Sequence, residues 1–140
     1  MLKIAIDFDG TIVEHAYPEI GKELLFAFET LKEMQKYECR LVLWTYRTGI
    51  ELDEAVEFCR KKGIEFYAVN KSYPEEKIED MFSRKIDADI YIDDKNLGGF
   101  PGWSATWQMI APLIGVSPEN VPFRDLKKKK RFWIFNINKR

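Results

Sequence analysis

Four short apolar runs punctuate the chain, at residues 2–6, 40–44, 64–69 and 89–92. Each is shorter than an ordinary helix and lacks the alternation of a strand with one wet face, so each reads as a strand buried inside a parallel sheet. The segments between them have helical spacing. Residues 22–37 carry Leu24, Phe28 and Leu31 on one stripe. Residues 51–62 carry Leu52, Ala55, Val56 and Cys59, and the stretch closes on Lys61, Lys62 and Gly63, as the helix dipole and the glycine preference just past a helix end predict. Beyond the fourth run, GGFPG leads into a helix with Trp103, Trp107 and Ile110 on its core side and Pro112 near its end. Alternating strands and helices with short connections predict an α/β fold with a mainly parallel sheet and right-handed crossovers.

With 140 residues the chain has room for one core and little else, and a hydrophobic content of 46% is enough to build that core. The expected organisation is a single domain over residues 1–126 followed by a C-terminal extension, 127–140. That extension holds seven of the 22 basic residues and none of the 23 acids, so the body is acidic and the tail basic. No apolar stretch approaches the about 20 residues of a membrane span, and the N-terminus lacks the pattern of a secretory signal, so no membrane partner and a cytoplasmic location are expected. Cys39 and Cys59 stand alone and are expected to be core thiols.

The first run ends in DFDGT. In parallel sheets ligands bind beyond the carboxyl ends of the strands, which puts Asp7, Asp9, Gly10 and Thr11 where chemistry is done. Residues two apart on an extended chain point the same way, and two converging carboxylates require a cation between them. The alternative for a DxD by itself is that one Asp caps the next helix and the other is solvated. Two further strand ends decide between these readings: the second run stops at Thr45, and the fourth runs into Asp93 and Asp94.

Apolar strand ends carrying DFDGT, then WT, then a lysine, then IDD, in that order, resemble the haloacid dehalogenase-like (HAD) superfamily of aspartate-nucleophile phosphohydrolases, from Lys3 to about Asn96. The resemblance implies a three-layer Rossmann-like core in which the fourth, first and second strands are neighbours. It also implies roles. Asp7 is the nucleophile, because a carboxylate can hold a phosphoryl group as an aspartyl-phosphate. Asp9 is the general acid and then base, giving a proton to the leaving alcohol and taking one from water. A phosphate dianion facing carboxylates needs a hard cation, for which Mg²⁺ fits, held by Asp7, the backbone carbonyl of Asp9, Asp93 and Asp94, with Asp94 the direct ligand of the pair. Gly10, Thr11, Thr45, the turn through Tyr46, and Arg47 are the phosphate-binding candidates, with a helix N-cap the alternative for Thr45 and a surface ion pair the alternative for Arg47. Lys85, shortly before the fourth strand, is the expected third motif, with Lys71 and Lys77 in the same irregular segment as alternatives.

His15 follows the first motif closely enough to reach a substrate, but a lone loop histidine reads first as a solvated one. Family members select substrates with cap domains inserted after the first motif or the third strand. Here those sites hold only EHAYPEIG and residues 70–85, neither long enough to fold as a cap. The expected activity is therefore that of a capless Mg²⁺-dependent phosphatase for a phosphorylated small molecule or polymer, its site open or closed by a second subunit. A metal- or phosphate-binding module without turnover is the alternative. The tail, KKKKRFWIFNINKR, adds nucleic-acid end phosphates as a substrate class, against the simpler reading that its aromatic residues pack on the body.

Overall fold

The computed structural model describes residues 1–79 and 81–121; the basic extension 127–140 and its expected boundary lie outside the described residues. Four strands, β1 (Lys3–Ile6), β2 (Arg40–Leu43), β3 (Ala68–Val69) and β4 (Ile90–Ile92), form an all-parallel sheet in the order β3-β2-β1-β4. Three helices, α1 (Ala27–Lys36), α2 (Gly49–Lys61) and α3 (Trp103–Ile110), complete a Rossmann-like α/β core, with a 3-10 turn over Ala111–Ile114 after α3. Strand register pairs Ile4 with Leu41 and Ile90, and Ile6 with Leu43 and Ile92, so one sheet face is aliphatic from edge to edge.

Because side chains alternate along a strand, Ile4, Ile6, Leu41, Leu43 and Ile92 point to one face and Ala5, Val42 and Ala68 to the other. The first set packs with Ala27, Phe28, Leu31 and Met34 of α1, Ala55 and Cys59 of α2, and Trp103, Trp107 and Ile110 of α3. All three helices thus lie on one face. The second face carries a smaller cluster, Ala5, Val42, Ala68 and Ile86, and Ile86 belongs to the irregular segment between β3 and β4. Crossover handedness accounts for this split. From β1 to β2 to β3 the chain advances in one direction across the sheet, and from β3 to β4 it returns past β1, so a right-handed connection must run over the opposite face. The covering layer there is irregular among the described residues, where the three-layer expectation calls for helix.

Two element boundaries differ from expectation for local reasons. Helix α1 begins at Ala27 rather than Lys22 because Phe26 has φ +64° and the preceding residues pair elsewhere: Val13 bridges Glu23, Leu24 N–H donates to Ile12 O at 2.9 Å, and Glu14 N–H donates to Lys22 O at 2.8 Å. Strand β3 keeps only two of the six expected residues, while Ile64 is buried in the helix-side core. The end of α2 follows expectation. Gly63 has φ +90°, its N–H reaches Arg60 O at 2.9 Å, and Ile64 N–H reaches Cys59 O at 3.0 Å, the paired closure that a left-handed glycine permits. Both cysteines are buried and unbridged. No helix among the described residues is long and apolar enough to cross a membrane.

Candidate active site at the carboxyl edge of the sheet

The chain leaves β1 in one direction toward β2 and reaches β4 on the other side, so the carboxyl end of β1 lies at a topological switch point, where open α/β sheets leave a crevice. A cavity of about 440 Å³ opens there. Asp7, Asp9, His15, Trp44, Thr45, Tyr46, Asp93, Asp94 and Lys95 line it. Strand pairing brings the ends together: Asp7 N–H donates to Ile92 O at 2.9 Å and Trp44 N–H to Ile6 O at 2.8 Å.

After Asp7 the chain turns sharply. Phe8 O accepts from Thr11, Ile12 and Val13 N–H, and Gly10 sits at φ +88°. Thr11, expected among the phosphate-binding residues, is instead fully buried. Its hydroxyl donates to Asp7 Oδ2 at 3.0 Å and accepts from Asp94 N–H at 3.1 Å, so it joins the ends of β1 and β4. Trp103 of α3 holds it from behind, Nε1 donating to Thr11 O at 2.7 Å.

Carboxylate oxygens of Asp7, Asp93 and Asp94 lie within 4.8 Å of one another. Burial pushes the Asp7 carboxyl up to about 7; the charge of Asp93 and a hydrogen bond to Asp94 push the same way, against the bond from Thr11. For Asp94 burial also acts upward, but hydrogen bonds from His15 and Asp7 and the charges of His15 and Lys95 outweigh it, leaving this carboxyl below its ordinary value. Asp94 Oδ1 is buried and has no hydrogen-bond partner among the described residues. An ionised, buried oxygen without a donor is costly unless a cation meets it. Three converging carboxylates and that orphaned oxygen suit a small, hard, oxygen-seeking divalent ion.

Asp9 stands apart from the acidic cluster. Its carboxylate is gripped side-on by Arg47, Nε to Oδ2 and Nη2 to Oδ1, both at 2.8 Å. The remaining guanidinium hydrogens go to backbone carbonyls, Nη1 to Pro18 at 3.2 Å and Glu51 at 3.3 Å, Nη2 to Glu19 at 2.7 Å. Arg47 is 1% exposed, and its guanidinium lies between the rings of Phe8 and Tyr17, about 5 Å from each centroid. With every donor engaged inside the protein, Arg47 is not a phosphate contact; it forms the alternative, an ion pair, but buried rather than at the surface, as a clamp on Asp9.

Thr45 lines the cavity, with its N–H on Asn70 Oδ1 at 2.8 Å and its hydroxyl accepting from Arg47 N–H at 3.1 Å. The residue before α2 is Thr48, so Thr45 is not that helix's cap. Tyr46 is fully exposed at the rim. Lys85 does not reach the cavity: the Tyr91 hydroxyl donates to Ile86 O and lays this segment on the second sheet face, with Lys85 Nζ 5.7 Å from the Tyr91 ring centroid. Among the described residues, Lys95 is the lysine that lines the cavity. His15 is exposed, as expected, but it also has a partner: Nε2 lies 2.8 Å from Asp94 Oδ2. Neither Asn70 nor Lys95 carries a signal in the sequence, since each acquires its place only from strand pairing.

No protein-family model matches the chain, and no curated protein sequence matches it. Among solved structures, it is similar to one described as the structure of a conserved protein coded by a locus from Bacteroides thetaiotaomicron, at 58% identity over 78% of this chain and 88% of that one, with a TM-score of 0.74. At that identity and coverage, the chain belongs to the same family as this conserved Bacteroides thetaiotaomicron protein.

Proposed function

We propose that the protein is a Mg²⁺-dependent phosphomonoesterase of the HAD-like type, built on that superfamily's core without a cap domain and working through an aspartyl-phosphate on Asp7. The observation that carries this reading is the grouping of Asp7, Asp93 and Asp94 within 4.8 Å at the switch point, beside a buried and unpartnered Asp94 oxygen and facing a cavity that Thr45 also lines. Asp7, Asp93 and Asp94 would hold the metal, Asp94 through Oδ1. When bound, Mg²⁺ supplies a positive charge that offsets the carboxylates and the phosphoryl oxygens.

In the first step an Asp7 oxygen bonds to phosphorus while the ester P–O bond breaks, and the departing alcohol takes a proton from Asp9. In the second, Asp9 takes a proton from water as that water attacks phosphorus, releasing phosphate and restoring Asp7. The Thr45 hydroxyl, whose hydrogen has no acceptor among the described residues, and the Lys95 ammonium are the groups offered to the phosphoryl oxygens. The clamp from Arg47 suits the ionised Asp9 of the second step. In the first step one of the two Arg47 bonds must loosen, so phosphates whose leaving group needs no proton are the better substrates.

The test is release of p-nitrophenol from its phosphate ester, with Mg²⁺ and with chelator, by the wild type and Asp7→Asn. Metal-dependent turnover that disappears in Asp7→Asn supports the proposal; turnover indifferent to both sinks it. The clamp on Asp9 also favours a second reading, a metal-binding module without turnover, and tight Mg²⁺ binding with no hydrolysis of any ester would select it.

A further inference from the structure

His15 sits on the loop after the turn of β1, and that loop is built to a fixed position. Its base is closed by the bond from Glu14 N–H to Lys22 O and by Gly21, where a Cβ would lie 2.1 Å from Glu14 O. Farther along, Arg47 holds it through the carbonyls of Pro18 and Glu19. Against this frame His15 reaches back over Gly10 to Asp94 Oδ2 at 2.8 Å. Because a carboxylate oxygen only accepts, Nε2 is the donor.

The crossing is tight. A Cβ at Gly10 would fall 2.3 Å from His15 Nε2 and 2.4 Å from Asp94 Oδ2, and Gly10 has φ +88°, so no other residue fits beneath the pair. Asp94 is thereby fixed at both ends, its backbone N–H by the Thr11 hydroxyl and its Oδ2 by His15. With Oδ2 engaged, Oδ1 is left buried and without a hydrogen-bond partner among the described residues, on a carboxylate grouped with those of Asp7 and Asp93.

We propose that His15 is a positioning residue for the metal site: by holding Asp94 Oδ2 above Gly10 it presents Oδ1 to the cation. This rests on the metal-dependent reading above. A ligand held by a hydrogen-bonded neighbour binds without first losing rotamer freedom, and loss of such a neighbour commonly weakens metal binding by about 10- to 100-fold.

The experiment is calorimetric titration of Mg²⁺ into wild type, His15→Ala, His15→Gln, Asp94→Asn and the His15→Ala, Asp94→Asn double variant, at one pH, with a thermal melt of each protein in chelator. The expected result is a Kd about 10-fold or more higher in His15→Ala, partial recovery in His15→Gln, whose amide can donate to the same oxygen, and no added loss when His15→Ala is combined with Asp94→Asn. A Kd in His15→Ala within twofold of wild type, or a loss that simply adds to that of Asp94→Asn, overturns the assignment while the metal reading stands. A lower Tm in chelator with unchanged Kd also overturns it, since His15 would then only tether its loop. If wild type itself binds no divalent ion, the metal reading and this one fall together.

Discussion

Arg47 has five N–H donors and all five are engaged, two on Asp9 and three on backbone carbonyls from two different segments. Taking away one member of a buried, hydrogen-bonded pair leaves the other charge without compensation, at a cost of about 3–5 kcal/mol. Arg47→Met leaves Asp9 partly exposed at the cavity wall, so the expected loss of stability in urea denaturation lies toward the lower end of that range. Arg47→Lys should recover little of it, because an ammonium cannot meet both Asp9 oxygens and three carbonyls. Loss within experimental error of zero for Arg47→Met would show that the clamp carries no net energy. The two lysines separate by another measurement. Lys95→Ala should lower kcat/KM for an aryl phosphate at least tenfold, whereas Lys85→Ala, on the far face against Tyr91, should leave it within about twofold. The reverse ranking would restore Lys85 to the site. Legibility differs in the same way from residue to residue. Asp7, Thr45, Asp93 and Asp94 were readable because a strand end carries its residue to the site whatever the loops do. The partner of Asp9 was not, because that contact spans 38 positions and depends on how Arg47 turns back after Thr45.

Among the elements, α3 does more than cover the sheet. Its Trp103 is both core and strut, with the ring buried in the helix-side cluster and Nε1 bonded to Thr11 O under the turn of β1. Trp103→Phe keeps most of the apolar volume and removes the donor, leaving a buried carbonyl unsatisfied at about 1–3 kcal/mol. The expected outcome is a lower Tm together with a higher Mg²⁺ requirement, since Thr11 touches both Asp7 and the backbone of Asp94. Stability loss with an unchanged metal requirement would reduce Trp103 to a packing residue. Helix faces were legible from spacing alone, because Leu31, Ala55, Cys59, Trp103, Trp107 and Ile110 recur with the helical period and all are buried. The start of α1 was not, because the bridge between Val13 and Glu23 competes for residues whose pattern suits a helix, and tertiary pairing wins. The irregular layer over the second face had no period to read at all.

For the molecule as a whole, the acidic cluster sets how stability varies with pH. Asp7 binds its proton up to about 7 in the folded protein, against 3.8 ordinarily, so the folded state holds more protons than the unfolded state between those values. The stability this contributes is complete below about 3.8 and is lost as pH rises through about 7. The lowered Asp94 acts in the opposite sense, but only as pH falls below its ordinary carboxylate range. Melts in chelator are therefore expected to show Tm falling from pH 5.5 to pH 8, and Mg²⁺ should cancel the fall by replacing the proton among the carboxylates. A chelator-independent profile would mean that the cluster holds no ion. The clamp between Asp9 and Arg47 has a further consequence, for how such a chain can change over generations. A substitution at Asp9 strands the buried Arg47 guanidinium, and one at Arg47 leaves Asp9 and three backbone carbonyls without their donors, so each one-step intermediate is less stable than the chain on either side of it. Residues 9 and 47 are therefore expected to be exchanged together or not at all, and a descendant that keeps Arg47 without Asp9 should carry a new acid within reach of the guanidinium.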